Sequence, residues 1–469
     1  MPEPVTLARA LASFAVTAHV KGVPDEVVAS VRQRVLDVLG LCVAATPLPT
    51  SRAVLDLVQA QAGAHEAHVI GLTGRYPAAQ AALANGVLAH SLDFDDTHLP
   101  SVLHPSAVVV PAAIASAEAN GATGAELVSA VAVGLEVTVR LGMAGYDAAL
   151  GNSVFFEHGQ HATSICGAMG GAVAVGMLMG LDEDRLTDVL GVTASMAAGI
   201  IEGNRTGGTV KRVHCGWAAH SAVMAAELVR RGITGPPTVL EGRFGFFEAF
   251  LRGQADHDQV LLGLGSQWAV PGIFFKPYPA NHFTHALIDA GMALRAKGIR
   301  PEDIDSIEVG LPSSVIRTIG EPIQTKRAPV TGYQAQFSGP YAIVAGLLGG
   351  SGLGVGLDDF TDALAQDPTR RALMARVSIE ADARCDAVFP HQFPAVATLT
   401  TTDGTQHVEE VLTNRGGPAR PLSDAELGVK FAGNCEGHLD ADTVITVQDR
   451  TLRLEREDDL PDLMDLLTP

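Results

Sequence analysis

The chain has 469 residues, more than a single hydrophobic core usually organises, so its length predicts two domains. Hydrophobic residues make up 47% of the sequence, but no uninterrupted apolar run reaches the ~18 to 20 residues that a membrane span needs. The formal net charge of -20 argues against a general nucleic-acid-binding surface, because such a surface needs a basic stripe.

The cysteines and the N-terminal residues indicate the compartment. An odd, scattered set of cysteines predicts reducing surroundings and no zinc framework. The first residues lack the basic and then apolar layout of a signal peptide. We therefore expect a cytoplasmic protein with no membrane partner and no nucleic-acid partner. The five cysteines are Cys42, Cys166, Cys215, Cys385 and Cys435.

Helical periodicity dominates the first half of the chain. Val27, Val31 and Val35 recur at helical spacing, and Thr123 with Glu126 forms a capping-box pattern. The segment 162–180 consists mostly of small residues, which predicts close packing in a bundle centre or at a subunit interface. The patterns predict helices over 6–18, 24–45, 51–62, 77–92, 106–120, 123–143, 162–180, 182–200, 218–231 and 245–253.

The pattern changes near Gly265, after which prolines interrupt the helical periodicity. Four strands are predicted over 303–311, 376–381, 395–402 and 405–412, and Asp403-Gly404 is a two-residue hairpin signal. Helices are predicted over 285–297, 338–348 and 442–455, and a second capping box begins at Ser423. The sequence therefore predicts a mainly α fold, with a large all-helical domain of residues 1–267 and 414–469 and a smaller α+β domain of residues 268–413.

Ionisable groups are concentrated in segment 90–105, between two predicted helices. A buried charge costs several kcal/mol unless it is paired, and functional sites are where such costs are usually tolerated. The segment is therefore either a functional site or a solvated interhelix loop. Its three carboxylates and three imidazoles belong to Asp93, Asp95, Asp96, His90, His98 and His104.

Two more polar clusters lie in the first half. His161 stands at a predicted helix start, where the positive end of the helix dipole favours a neutral imidazole. Such a group could be a base or a hydrogen-bond partner, and a capping or core histidine would show the same pattern. Segment 203–214 is Gly-rich and basic, which predicts an anion-binding loop containing Lys211 and Arg212, or else a solvated turn at a helix start.

The second half adds two candidates. Lys276 stands among prolines near the predicted domain boundary, where clefts often bind ligands, although a stiff linker is the alternative. Tyr341 supplies a phenol near a helix start, which in buried positions is more often structural than catalytic. Together these bases, hydroxyls and cations match proton removal next to a carboxylate, which needs a base, cations for the developing charge and an acid for the leaving group.

These segments, taken in order, resemble the MmgE/PrpD family, which includes 2-methylcitrate dehydratase and cis-aconitate decarboxylase. The resemblance implies a helical domain built from both ends of the chain, a smaller α+β lid and a homodimer. It also implies cofactor-free lyase chemistry on small polycarboxylates, with no metal. It is carried by residues 92–98, His104-Pro105, His161-Ala162-Thr163, 208–212, 216–219, 276–279, 414–418, 421–423 and Lys430-Phe431.

The resemblance also implies roles for individual residues. His104 and His161 would be acid/base or carboxylate-orienting groups, Lys211 and Lys276 would bind substrate carboxylates, and Tyr341 would be a possible proton donor. The catalytic candidates are Asp93, His104, His161, Lys211 and Tyr341. The substrate-binding candidates are Thr97, Arg212, Lys276 and His282.

One position departs from the decarboxylase pattern. Asn281 stands where cis-aconitate decarboxylase has His after Pro-Ala, and His282 follows one residue later. We therefore expect a lyase for a small di- or tricarboxylate, first a hydro-lyase, with an isomerase or epimerase, or a carboxy-lyase, as alternatives. Two other classes are a divalent-metal enzyme that uses the aspartates of segment 90–105, and a non-catalytic helical scaffold.

Overall fold

The structure is a computed structural model that describes residues 5–61, 63–203 and 208–469. Residues 204–207 of the predicted anion-binding loop lie outside the described residues. The chain divides into two compact units: unit 1 is Met1–Ile273 with Asn434–Pro469, and unit 2 is Phe274–Gly433. The predicted fold class, a large helical body with a smaller domain that contains a mixed sheet, is confirmed.

Unit 1 is built from helices and two short strand pairs. The strand pairs are β1 (Ala67–His68) with β2 (Arg75–Tyr76), and β3 (Tyr146–Asp147) with β4 (Asn152–Ser153). The helices are Leu7–Lys21, Asp25–Ala45, Pro49–Ala60, Ala78–His90, Ser106–Asn120, Gly124–Ala144, Val154–Glu157, Ala162–Leu178, Glu183–Thr193, Lys211–Arg230, Phe246–Leu251, Asp258–Leu261, Ala441–Thr451 and Leu460–Asp465, with 3-10 turns at Val270–Gly272 and Leu454–Arg456.

The helix Ala162–Leu178 lies in the centre of unit 1, and every one of its residues is buried. It packs against the helix Gly124–Ala144 at very short range. A Cβ atom on Gly170 would lie 2.0 Å from Thr138 Oγ1 and 2.2 Å from the Gly134 carbonyl oxygen, so only glycine allows this approach. The small residues that the sequence shows here are therefore a packing requirement of the core.

Among the described residues, one helix, Gly124–Ala144, is long and apolar enough to cross a membrane. Its apolar window is 89% buried inside the protein. It also carries the buried ion pair between Glu136 and Arg140, with Nε to Oε1 at 2.8 Å. Arg140 donates further hydrogen bonds to the carbonyls of Val260 and Leu262. These features are those of a core helix.

Two helix predictions in unit 1 are wrong by seven residues at one end. The helix predicted over 182–200 ends at Thr193, because the following residues pair with residues 159–161 instead. The His161 amide donates to the Gly199 carbonyl, and the Ile201 amide donates to the Gly159 carbonyl. The helix predicted over 218–231 begins seven residues earlier, at Lys211. Lys211 and Arg212 therefore lie in the first turn of a helix.

Unit 2 contains a four-stranded sheet. Its strands are β5 (Ile304–Leu311), β6 (Val377–Ala381), β7 (Ala395–Thr401) and β8 (Gln406–Val411), in the order β6-β5-β7-β8. β5 is parallel to β6 and antiparallel to β7, and the β7–β8 hairpin turns at the predicted Asp403-Gly404. The Asp403 carboxylate accepts the Thr405 amide at 2.9 Å, which fixes the turn.

Helices cover this sheet, and the apolar residues of the sheet and helices form one buried cluster. The helices His285–Ala296 and Gly339–Leu348 pack against each other, and the first also packs on β7 and β8. The other helices of unit 2 are Ile316–Ile319, Ile323–Lys326, Gly332–Ala335, Asp362–Ala365, Pro368–Met374, Ala383–Asp386 and the start of Asp424–Cys435, with 3-10 turns at His282–Thr284, Pro301–Asp303 and Leu357–Phe360.

Candidate active site

Two helices of unit 1 bring the candidate residues together. We call Ala78–His90 the His90 helix and Lys211–Arg230 the Lys211 helix. They meet at two glycines: a Cβ atom on Gly216 would lie 2.3 Å from the Leu83 carbonyl oxygen, and one on Gly86 would lie 2.7 Å from the Gly216 Cα. His90 follows this contact by about one turn and Lys211 precedes it by about one turn. The C-terminal end of one helix therefore lies beside the N-terminal start of the other.

Asp95 lies between two imidazoles. Its Oδ2 is 2.7 Å from His90 Nδ1 and 4.0 Å from His104 Nδ1. The His90 ring lies 5.4 Å from the His104 ring and 5.7 Å from the His161 ring, measured between centroids. Asp95 is fully buried and His90 is 2% exposed. Asp95 is therefore hydrogen-bonded to His90 and lies beside His104.

The backbone fixes the tautomer of His104. Its Nδ1 lies 2.6 Å from the Asp96 carbonyl oxygen and 3.3 Å from Thr97 Oγ1. A carbonyl can only accept, so His104 Nδ1 carries a hydrogen and its Nε2 is the atom that exchanges a proton. The His104 amide also donates to Thr163 Oγ1 at 3.1 Å, which ties segment 90–105 to the central helix.

A buried ion pair between Arg34 and Asp96 anchors segment 90–105. Arg34 donates to Asp96 Oδ2 at 2.8 Å, and to the carbonyls of Val270 and Ile273 at 3.1 and 2.6 Å. The Ser106 amide and hydroxyl both donate to the Asp96 carboxylate. Burial raises the pKa of Asp96, and the Arg34 charge and the Ser106 hydrogen bonds oppose that rise. Asp96 thus serves segment 90–105 as an anchor and presents its carbonyl to His104.

His161 and His214 form a second imidazole pair. Their Nδ1 atoms lie 3.1 Å apart, so one ring donates and the other accepts. Burial, followed by the charges of His90 and Lys211, lowers the pKa of His214 to about 4. The same causes, with His214 and His104 added, lower the pKa of His161 well below its ordinary value. Both lowered pKa values favour neutral rings near pH 7, and the acid/base role of His161 stays a prediction.

Lys211 is the first residue of its helix and pairs with Asp93, Nζ to Oδ1 at 3.5 Å. The N-terminal start of a helix carries partial positive charge and no side chain among the described residues caps this one, so the region favours anions. Asp93 adopts a left-handed backbone conformation, φ 51°. Arg212, one residue later, donates to Thr50 Oγ1 at 3.1 Å.

The aspartates of segment 90–105 face three different groups. Asp93 pairs with Lys211, Asp95 with His90 and Asp96 with Arg34. In the part of the chain that the structure describes, no three His, Cys, Asp or Glu side chains are grouped so that they could hold a metal ion. This arrangement gives no support to the divalent-metal alternative.

The remaining candidates belong to unit 2. Lys276 is 1% exposed. His282 is 4% exposed and lies among aromatic rings, with its centroid 4.5 Å from the ring of His285 and 5.5 Å from that of Phe393. Asn281, the residue that departs from the decarboxylase pattern, accepts the Phe283 amide at 3.1 Å and so caps a 3-10 turn. The substrate-binding roles of Lys276 and His282 stay predictions.

Tyr341 lies in the hydrophobic core of unit 2 and has no exposed surface. Its hydroxyl donates to the Asp359 carbonyl at 2.6 Å, and Arg370 lies beside it, NH1 to hydroxyl at 3.5 Å. Burial raises the pKa of Tyr341 to about 12. These contacts favour the structural role that the sequence left open, and the role of proton donor stays a prediction.

Four residues at this site were not among the catalytic and substrate-binding candidates of the sequence analysis, namely His90, Asp95, His214 and Arg34. His90 and Asp95 stood in the flagged segment, but no local pattern distinguishes them from its other polar residues. His214 follows Lys211 by three residues, which on a helix places both on one face. A correct helix start would therefore have revealed it. Arg34 is a charged residue on an otherwise apolar helical face, which is itself a signal.

Two family models match the chain: the MmgE/PrpD N-terminal domain over residues 9–259 and the MmgE/PrpD C-terminal domain over residues 278–454. The chain belongs to the MmgE/PrpD family. The family resemblance of the sequence motifs is thereby confirmed. The site in unit 1 lies within the N-terminal MmgE/PrpD domain, and Lys276 lies between the two matches.

Curated relatives of this MmgE/PrpD chain extend over most of its length. It is 29% identical to the cis-aconitate decarboxylase of Homo sapiens, over 97% of this chain and 94% of the relative. It is 30% identical to that of Mus musculus, over 81% and 77%, and 26% identical to that of Aspergillus terreus, over 95% and 92%. The similarity therefore includes both family domains.

Proposed function

We propose that the chain is a lyase that acts on a small di- or tricarboxylate by acid/base chemistry next to a carboxylate. One observation carries the proposal. Two imidazole groups stand in opposite electrostatic environments: His104 beside the Asp95 carboxylate, and His161 in a neutral pair with His214. Titratable groups held in such different surroundings are suited to be the acid and the base of one reaction.

Substrate binding would use the positive end of the Lys211 helix. The Lys211 side chain is 17% exposed and is held at 3.5 Å from Asp93, a distance typical of a loose ion pair. A substrate carboxylate can therefore replace the Asp93 carboxylate beside Lys211. Arg212 and Thr97 are proposed to assist, and Lys276 and His282 are proposed to bind a second carboxylate, as the family resemblance implies.

Dehydration uses every part of this arrangement. His161, neutral, takes the proton from the carbon next to a carboxylate, and Lys211 stabilises the enolate-like charge that develops. His104 gives a proton from Nε2 to the departing hydroxyl, which leaves as water while the alkene forms. The remaining members of the proposal have two sources. The homodimer and the cofactor-free chemistry come from the family resemblance, and the cytoplasmic location comes from the scattered cysteines.

Decarboxylation is the second candidate, and the names of the relatives favour it. In that reaction the bond to a carboxylate carbon breaks, carbon dioxide leaves, and the electron pair takes a proton from His104. It needs the cation and the acid but no base, so His161 would only orient the substrate. Asn281, in the place of the decarboxylase His, weighs against this reaction.

The experiment is incubation of the purified chain with 2-methylcitrate, citrate, malate and cis-aconitate. Dehydration produces an absorbing alkene, and decarboxylation releases carbon dioxide. Epimerisation produces only uptake of solvent deuterium with inverted chirality. Deuterium uptake with inverted chirality alone, or absence of all three signals for every compound, would contradict the proposal. Carbon dioxide release without alkene formation from hydroxy acids would replace dehydration by the second candidate.

A further inference from the structure

We propose that His90 is a further histidine that contacts the substrate, through its Nε2, and that Asp95 is the positioning residue that holds it. This inference rests on the proposed function and deepens it. It identifies the ligand as an oxygen atom of the substrate, in a carboxylate or hydroxyl group, bound beside His104 and His161.

The first support is an unpartnered atom. His90 is 98% buried, since its exposed fraction is 2%, yet its Nε2 has no hydrogen-bond partner among the described residues. A buried polar nitrogen that stays unpaired is costly, and proteins seldom keep one without a use. The second support is its place: the His90 ring lies within 6 Å of the rings of both His104 and His161.

The third support is the hydrogen bond at the other ring nitrogen, Nδ1. Asp95 Oδ2 lies 2.7 Å from His90 Nδ1, so the ring cannot rotate without breaking a buried hydrogen bond. Nδ1 therefore carries a hydrogen, and Nε2 is turned away from Asp95. With Nδ1 donating to Asp95, Nε2 is the ring atom that can form a hydrogen bond with an oxygen of the substrate: it accepts from a hydroxyl, or donates to a carboxylate when both ring nitrogens carry hydrogen. Nearby charged or titratable groups are His104, His161, His214 and Lys211.

Two amide substitutions separate a substrate-contacting role from a structural one. The amide nitrogen of Asn occupies the place of Nδ1, and that of Gln the place of Nε2. His90→Asn keeps the bond to Asp95 but removes the group that faces the substrate. His90→Gln keeps a group that faces the substrate but removes the bond to Asp95. If His90 contacts the substrate, His90→Asn keeps its melting temperature and loses affinity roughly tenfold to a hundredfold, while His90→Gln binds better than His90→Asn.

The measurement is calorimetric binding of propane-1,2,3-tricarboxylate, which has neither a hydroxyl to lose nor an alkene, together with kcat and KM for any substrate found. We expect His90→Asn to raise the Kd and the KM more than it lowers kcat. Asp95→Asn should weaken binding similarly, and the double variant His90→Asn with Asp95→Asn should bind about as weakly as His90→Asn alone. Such non-additivity identifies residues that act through each other.

His68→Asn is the matched control, because His68 is 3% exposed and its Nδ1 lies 2.5 Å from the Glu118 carboxylate, in another part of unit 1. It should bind the tricarboxylate as the natural chain does. Wild-type affinity in His90→Asn, or a larger loss in His90→Gln than in His90→Asn, would overturn the inference while leaving the lyase proposal intact. A wild-type chain that neither binds the tricarboxylate nor turns over any compound would overturn both.

Discussion

The ammonium of Lys211 lies 3.5 Å from the carboxylate of Asp93, although 118 residues separate them in the chain. Lys211 stands at the start of a helix, where the dipole disfavours a cation, so Asp93 compensates a local excess of positive charge. The two groups lie at the end of the Lys211 helix that also carries His214. This contact lies at the end of the helix where we propose that a substrate carboxylate binds.

We expect Lys211→Ala to lower turnover by about a hundredfold to a thousandfold, because it removes a cation placed where negative charge develops. The melting temperature should change little, since the Lys211 side chain is partly exposed and binds the ligand rather than the core. Lys297→Ala, which removes a more exposed lysine paired with Glu409, is the control and should retain turnover. Full activity in Lys211→Ala would remove Lys211 from the mechanism.

Stability should fall in mild acid because of His214. Its pKa is lowered from 6.5 to about 4 in the folded chain, so unfolding takes up a proton between these values. The free energy of unfolding therefore decreases as the pH falls from 6.5 towards 4, by on the order of 2 kcal/mol for this residue. Urea unfolding at several pH values should give a flatter profile for His214→Gln. A profile parallel to that of the wild type would contradict the lowered pKa.

His68 should act in the opposite direction. Burial lowers its pKa, but the hydrogen bond and charge of Glu118, with the charge of Asp465, outweigh burial and raise it. Its stabilising contribution is therefore complete below pH 6.5 and is lost as the pH rises through the raised value. The difference in unfolding free energy between the wild type and His68→Asn should shrink above that pH. A difference that grows with pH would disprove this ion pair.

The Arg34–Asp96 pair should be essential for folding rather than for substrate binding. Arg34→Met leaves the Asp96 carboxylate, 2% exposed, without its cation, which typically costs about 3 to 5 kcal/mol. Arg9→Met breaks only exposed pairs, with Glu183 and Asp184, and should cost less than about 1 kcal/mol. Denaturant unfolding of the two variants measures both losses of unfolding free energy. Equal losses would mean that the buried pair contributes no more than a surface one.

Local signals in the sequence predicted most elements, and the structure gives the reason. The capping box at Thr123 and Glu126 is formed by reciprocal hydrogen bonds, and the Asp403-Gly404 turn joins β7 to β8. Both depend only on residues a few positions apart. The predicted helix over 182–200 was wrong because its end pairs with residues 159–161, a contact that no local pattern records.

The candidate site was predictable as a set of residues but not as an arrangement. Composition pointed to segment 90–105, His161 and Lys211, since polar groups stand out in apolar surroundings. The pairing of His161 with His214 depends on contacts between helices 50 or so residues apart, and that of Lys211 with Asp93 on a still longer separation. The sequence alone could not show which of the six charged or titratable side chains in segment 90–105 contact Lys211 and His161.

The most direct test of the central claim is proton NMR of the wild type and His161→Ala, each incubated with the same tricarboxylic and hydroxy acids in deuterated buffer. The account predicts that the wild type consumes at least one compound with new alkene signals, and that His161→Ala, folded to the same melting temperature, leaves it unchanged. Consumption of no compound by the wild type, or equal rates in the two proteins, would contradict it.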